Sequence, residues 1–313
     1  MTDQLHLWPE DQPGDRIKWS ISRDKRLRDC ARKYFLQHYA SRGGWHANAA
    51  PEVRELHILK HLQNRFMWVG GVVHAMIELA LTGWRRGETV PVTALVERGT
   101  RRMRAQYAES IQGVYRQRPA AACGLVEHEY TEDVSRDEWR NMRDRMERCL
   151  RTFFGLSLTR TIRETPPWRW LALESMGSFD LDGATVLVKP DFAWRNADDE
   201  VVMVDWKTGK PRDQEEWQQL AVYGLYARRA WSLGSDHLLG HIAYLETGII
   251  RDVRIEEDDL TRAEESIRAS LAEMRRLTAD AGDNLPDAER FPLTDDLSRC
   301  TYCNFRRACN RMP

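Results

Sequence analysis

Val188-Lys-Pro-Asp191, followed by Val201-Val-Met-Val-Asp205-Trp-Lys207, is the stretch from which the fold is read. Both segments have the apolar, β-branched composition of buried strands. Asn196-Ala-Asp-Asp199 between them is rich in residues that tolerate turns, so the pair is expected as a hairpin. A strand period of two points Asp205 and Lys207 to one face, while Trp206 points away and leaves its backbone carbonyl near them. An uninterrupted apolar run should not end in an inward Asp and Lys unless these are paired or bind an ion. Of the 47 basic residues only seven are lysine, and three of those, Lys189, Lys207 and Lys210, fall in this short region. An ammonium is a compact charge whose pKa can be tuned beside a water nucleophile. Asp191, Asp205 and the Trp206 carbonyl make an all-oxygen set suited to magnesium or manganese, a layout fit for phosphodiester hydrolysis. Asp-X-Lys alone is commonly a solvated strand end, so the reading leans on what surrounds it.

Those surroundings resemble the PD-(D/E)XK nucleases, and within them the RecB-like branch. Pro190-Asp191 and Asp205-Trp206-Lys207 match the signature. Downstream, Gln219-Leu-Ala-Val-Tyr223 is similar to the Gln-X-X-X-Tyr motif that RecB-like members carry on the helix after the catalytic strands, and a spacing of four puts both side chains on one helical face. Upstream, Gly70-Gly-Val-Val-His74, with Glu78 one turn later, resembles the Gly-X-X-X-His segment whose histidine ligates the metal. Taken singly, His74 reads equally as a core histidine, and Gln219 and Tyr223 as a polar edge and a core aromatic. The resemblance implies Asp191, Asp205, Lys207, Gln219 and Tyr223 as catalytic residues and His74, Asp191, Asp205 and the Trp206 carbonyl as metal ligands. It also implies an α/β fold, a restriction-endonuclease-like mixed sheet flanked by helices, with a large N-terminal helical region and a C-terminal cluster-binding tail.

Cysteine usage supplies a second constellation. Cys300, Cys303 and Cys309 form C-x₂-C-x₅-C, Cys30 stands alone near the start, and Cys123 and Cys149 are unassigned. A disulfide framework is not expected in a large chain with few cysteines and no secretion signal. Four thiolates complete a site for an iron–sulfur cluster or for zinc, and spacing alone does not prove the fourth ligand. Ser20 to Phe35, with Cys30 inside it, resembles the N-terminal segment of RecB-like nucleases that hold a [4Fe-4S] cluster with one early and three late cysteines, although Ala31 stands where those relatives have proline. That resemblance implies Cys30, Cys300, Cys303 and Cys309 as cluster ligands, stapling the N-terminal helix to the tail, with zinc as the alternative.

The net charge of −1 hides clusters of like charge. Basic residues gather in Arg16 to Lys33, around Arg85 to Arg104, in Arg140 to Arg151 and in the tail, and acidic ones in Glu256 to Asp259 and Asp280 to Glu289. Such runs are usually solvated faces, but arginines near the cysteine segments suit a phosphate backbone. The first fifteen residues show no apolar targeting core, and Phe66 to Leu81 is expected to be too short to span a membrane, so a cytoplasmic protein is expected. With no phosphate-binding Gly-X-X-X-X-Gly-Lys-Ser/Thr loop, the chain is not expected to be an ATPase. DNA, single-stranded or with free ends, and a separate helicase or integrase-type protein are the implied partners, in repair, CRISPR adaptation or phage defence. The competing readings are a non-catalytic DNA- or partner-binding module and a zinc-stabilised adaptor.

Periodicity predicts helices over Ser22 to Ala40, Val53 to Met67 and Val72 to Leu81, the last two separated by Gly70-Gly71, and over Val92 to Arg118 and Asp137 to Thr159. Strands are expected over Trp168 to Asp180, Ala184 to Trp194, Val201 to Lys207, Leu239 to Glu246 and Asp252 to Ile255, with helices over Asp213 to Trp231 and Asp259 to Ala281. This gives a helical region at 1–165 carrying Cys30 and His74, a catalytic core at 166–256, and a helix with a cysteine-rich tail at 257–313. Glu174, on the strand before the catalytic pair, either faces the site or is an edge carboxylate.

Overall fold

A computed structural model describes residues 16–211, 216–231, 233, 237–279 and 285–311. The expected helix start at Asp213, the helix end at Ala281, the head of the acidic run at Asp280 and the first fifteen residues lie outside this range. The described chain divides into two compact units that do not follow chain order. The first gathers the residues up to Trp68, Arg104–Val134 and those from Ala269 onward; the second comprises Val69–Met103 and Ser135–Arg268.

The first unit begins with a two-residue strand β1 (Lys18–Trp19), then α1 (Ile21–Asp29) and α2 (Ala31–Phe35). The Ser20 hydroxyl accepts the Arg23 amide and the Cys30 sulfur accepts the Lys33 amide, so each helix is capped at its own start and the expected single helix is two. Leu36–Ala40 continues as a π-turn, and α3 (Pro51–Lys60) opens on a proline at its first position. Phe291, fully buried, packs 5.0 Å from the Phe35 ring, and Arg32 donates to its carbonyl. The Asn304 amide donates to the Leu59 carbonyl at 2.7 Å, and the Tyr130 hydroxyl donates to the Asn304 carbonyl at 2.7 Å. The tail is thereby sewn onto the N-terminal helices by polar groups that are themselves buried and paired.

Helix α4 (Arg65–Arg85) runs straight through Gly70-Gly71, where a break was expected. The boundary instead lies at Asn64, whose side chain accepts the Phe66 and Met67 amides. An Asn cap sets a helix start, whereas two glycines inside a buried helix cost only about 1 kcal/mol each. At 21 residues α4 is also longer than the apolar stretch read from sequence. By length and composition alone it is apolar enough to cross a membrane, but half of that window is buried inside the protein, as in the core helix of a globular fold. Helix α5 (Val92–Ile111) and the short α6 (Val126–Glu129) follow, and Glu127, fully buried, accepts the Arg65 amide at 2.9 Å and its guanidinium at 3.3 Å.

In the second unit, α7 (Arg136–Gly155) starts with a reciprocal capping box between Ser135 and Glu138 and is followed by α8 (Ser157–Glu164). Strands β2 (Trp170–Leu173), β3 (Gly177–Leu181), β4 (Ala184–Val188), β5 (Phe192–Arg195) and β6 (Val201–Lys207) come next, then α9 (Glu216–Ala230), β7 (Leu238–Tyr244), β8 (Ile249–Arg254) and α10 (Glu257–Thr278). Two expected strands are each divided between sheets. Trp168 to Asp180 breaks where Glu174 adopts φ +46, a strained conformation for a residue with a side chain. Ala184 to Trp194 breaks at Pro190, which has no amide to give a central ladder. Strands β3 and β4 pair as an antiparallel hairpin, while the main sheet has the order β2-β5-β6-β7-β8. Within it β6 runs antiparallel to β5 and parallel to β7, Asp205 opposite Ile242 and Lys207 opposite Tyr244. The expected hairpin is thus β5–β6, and a mixed α/β sheet with helical cover is observed as read from sequence. Helix α9 supplies the crossover that parallel neighbours require. It settles on β7 through Gly240, where a Cβ would lie 2.6 Å from the Leu220 side chain. Val201, Val202, Met203 and Val204 are all essentially buried, each worth on the order of 1.5–3 kcal/mol.

Candidate active site

The central strand β6 carries two of the residues singled out from sequence, Asp205 and Lys207. Alternation puts Trp206 on the far face, 2% exposed and edge-on to Phe153 at 5.1 Å, while Asp205 and Lys207 share the near face. The Lys207 ammonium lies 2.6 Å from Asp205 Oδ2 and donates to Gln219 Oε1 at 2.9 Å. Gln219 donates onward to the Tyr223 hydroxyl at 2.6 Å, and that hydroxyl donates to the Lys189 carbonyl at 2.9 Å. One turn of α9 therefore fixes both the β6 lysine and the backbone just before Pro190. Burial, with the charges of Asp205 and Asp191, pushes the Tyr223 hydroxyl well above its ordinary range, so it stays a donor.

The Trp206 peptide is held on both sides. Its amide donates to Asp191 Oδ2 at 2.7 Å, and its carbonyl lies 3.1 Å from His74 Nε2. His74 Nδ1 is 3.1 Å from Glu174 Oε1 and 3.6 Å from Asp191 Oδ1. Both ring nitrogens thus face oxygen acceptors, which calls for a proton on each. Burial opposes that charge, but the Asp191 charge and the Glu174 hydrogen bond outweigh it and lift the His74 pKa to about 9. Burial, reinforced by the Asp205 and Glu174 charges against His74 and the Trp206 amide, pushes Asp191 up to about 7. Glu174 is buried too, yet the His74 hydrogen bond and Lys189, whose ammonium is 2.5 Å away, hold it below its ordinary value. Burial likewise works against the Lys207 charge, and Asp205 overcomes it and raises the lysine pKa.

Three carboxylates around one strand end demand positive charge, and His74, Lys189 and Lys207 answer it. Among the described residues, one potential ligand atom each from His74, Glu174 and Asp191 lie within 4.8 Å of one another. With the adjoining Trp206 carbonyl, this nitrogen and oxygen set fits a hard divalent cation. The structure brings together His74, Asp191, Asp205, Lys207, Gln219 and Tyr223, all named from sequence. It differs in one assignment: Asp205 stands outside the group of three, paired to Lys207, and Glu174 stands inside it. Of the two roles open to Glu174 from sequence, the edge carboxylate is excluded. Lys189 was noted for its rarity but given no role. The available signal for Glu174 was the inward alternation of Trp170, Ala172 and Glu174 along one face. Gly70 explains the upstream motif: a Cβ there would lie 3.3 Å from Thr208 Oγ1, directly after Lys207, so glycine lets α4 approach the strand end.

In the first unit, Cys30, Cys300, Cys303 and Cys309 are free thiols that share one electrostatic neighbourhood. Burial, then the neighbouring Cys303, Cys30 and Cys300, push Cys309 up to about 11, and burial raises Cys303 although Lys33 opposes it. Sulfurs that raise one another's pKa are what a bound metal or cluster would relieve. Cys123 and Cys149 are buried elsewhere, Cys123 beside Gln63 and Cys149 on α7.

The family model of the PD-(D/E)XK nuclease superfamily matches residues 18–310. The chain belongs to the PD-(D/E)XK nuclease superfamily. The metal-dependent nuclease chemistry of that superfamily, with Mg²⁺ or Mn²⁺, accords with the acidic group around His74. No curated protein matches. Among solved structures, the crystal structure of SSO0001 aligns at 13% identity over 60% of this PD-(D/E)XK chain and 93% of that one, with a TM-score of 0.29, a likeness too slight to carry an argument.

Proposed function

We propose that this protein is a RecB-like DNA exonuclease, acting on single strands or DNA ends, with a [4Fe-4S] cluster on Cys30, Cys300, Cys303 and Cys309. The observation that carries the hydrolytic reading is the convergence of His74, Glu174 and Asp191 on one another, with the Trp206 carbonyl at the other ring nitrogen of His74 and Lys207 one residue further along the same strand. His74, Glu174, Asp191 and the Trp206 carbonyl would hold the divalent ion, with Asp205 beside them. When bound, that ion polarises the scissile phosphate and lowers the pKa of a coordinated water. Lys207 orients the attacking water and offsets charge that develops on the phosphate, and Gln219 holds the ammonium in place for it. Tyr223 keeps Gln219 and the Lys189 backbone in register.

The iron–sulfur assignment rests on the resemblance to RecB-like nucleases that carry one early and three late cysteines, and the shared electrostatic neighbourhood of the four thiols supports a common ligand, with zinc as the alternative. A cytoplasmic setting in repair, CRISPR adaptation or phage defence, with a helicase or integrase-type partner, completes the proposal. Anaerobically purified protein is expected to be brown and to degrade end-labelled single-stranded DNA with Mg²⁺ or Mn²⁺ and not with EDTA. A brown, folded protein that binds DNA and never cuts it would replace this reading with that of a non-catalytic binding module.

A further inference from the structure

In the second unit, the link between β4 and β5 carries Lys189 and Asp191, and β6 carries Asp205 and Lys207, each pair two positions apart. Only the second lysine has a part in the reaction proposed above. Lys189 meets Glu174 instead: its ammonium lies 2.5 Å from Glu174 Oε2, while Glu174 Oε1 is 3.1 Å from His74 Nδ1. One oxygen of the glutamate is therefore engaged by the histidine and the other by the lysine. The Glu174 side chain is 6% exposed and that of Lys189 28%, so the carboxylate is the buried partner and the ammonium the one that reaches solvent. Glu174 is also held by its backbone, whose amide donates to the Asp191 carbonyl at 3.0 Å, and it stays in place without the lysine. The Lys189 carbonyl accepts the Tyr223 hydroxyl at 2.9 Å, which anchors the root of a flexible four-carbon stem and leaves its head able to swing.

A divalent cation taken up by His74, Glu174 and Asp191 would meet the Lys189 ammonium on the same carboxylate. Like charges that close repel strongly where water is scarce, so the ion and the ammonium compete for Glu174. Lys207 faces no such competitor, because its partner Asp205, 2.6 Å away, stands outside the group of three. A displaced ammonium needs another anion, and a lysine head is a compact point charge suited to phosphate.

We propose that Lys189 is a catalytic residue: it holds Glu174 until a divalent cation takes that carboxylate, and then binds the phosphate undergoing cleavage. There its charge offsets the negative charge that develops on the phosphate oxygens, from a different segment of the chain than Lys207, which serves the water. The choice of substrate rests on the nuclease reading; the pairing of Lys189 with Glu174 does not.

The test compares the full-length parent with Lys189→Met and Lys189→Arg, with thermal melts to show that each is folded; Lys189→Gln replaces the methionine variant if that one does not fold. Mn²⁺ binding without DNA, followed by electron paramagnetic resonance, is expected to tighten about tenfold in Lys189→Met, which lacks the competing charge, and to stay near the parent's in Lys189→Arg, which keeps it. Affinity for a fluorescent oligo-dT is then read by anisotropy across a salt series, in Ca²⁺ and again in EDTA. In Ca²⁺, Lys189→Met should bind about tenfold more weakly, with a salt slope flatter by about 0.7 for one lost phosphate contact. In EDTA, where Glu174 holds the parent's lysine, parent and variant should share one slope. Unchanged or weaker Mn²⁺ binding in Lys189→Met overturns the proposal. Tighter Mn²⁺ binding with parent-like DNA affinity in Ca²⁺ overturns it too, since that is the behaviour of a counter-ion to Glu174 and nothing more, and so does an equal loss of DNA affinity and slope in EDTA. Because neither reading requires cleavage, a protein that shows both shifts and never cuts DNA refutes the nuclease reading alone.

Discussion

The two candidate centres are built in opposite ways. Around β6, every charged group already has a partner inside the protein: Lys207 with Asp205 and Gln219, Lys189 with Glu174, His74 with two carboxylates and a carbonyl. In the cysteine group, the thiols come from the far ends of the described chain and share one electrostatic neighbourhood. A centre balanced by its own scaffold keeps its shape when its metal is withdrawn, whereas one assembled from distant segments draws folding energy from whatever binds it. Losses at the first are therefore expected in rate, and losses at the second in stability.

The largest effect tests the first half of that contrast. Lys207→Ala is expected to lower DNA cleavage about 10²–10⁴-fold, with the unfolding midpoint and DNA binding near the parent's. End-labelled cleavage assays beside thermal melts check it, and a variant that cuts at the parent rate breaks the assignment. Cys303→Ser tests the second half: the brown absorbance should fall and the melting temperature drop by on the order of 5 °C or more. A colourless variant with an unchanged melt would show that the thiols are not a staple. Smaller is Gln219→Ala, which removes a hydrogen bond to a charged ammonium worth about 1.5–3 kcal/mol and should reduce turnover roughly tenfold with KM little altered. Steady-state kinetics separate this from a binding defect. Ser135→Ala, breaking the capping box of α7, sharpens the contrast from outside both centres: about 1 kcal/mol of stability lost in denaturant melts, and no change in cleavage.

Much of this arrangement was legible in the chain. The period of two over Val201 to Lys207 placed Asp205 and Lys207 on one face, and the period of 3.6 put Gln219 beneath Tyr223, because both patterns are local. What escaped was set by tertiary geometry. Glu174, left open between two roles, follows a strand that ends in a left-handed backbone, and that turn into the site is what no local pattern announces. Gly70-Gly71 looked like a helix break since glycine disfavours helices, yet Gly70 is there to let Thr208 come close, a contact 138 positions away in the chain that no window of sequence contains. The division of Ala184 to Trp194 was foreshadowed by Pro190, whose missing amide outweighs the apolar run around it.

Strand β6 pairs in parallel with β7, which is made only after the whole of α9. At a translation speed of about 5–20 residues per second, the strand bearing Asp205 and Lys207 waits on the order of seconds for its second neighbour. During that interval Asp205 and Lys207 sit on a strand with one neighbour, and the ladder that completes the candidate site closes only once residues through Tyr244 have been made.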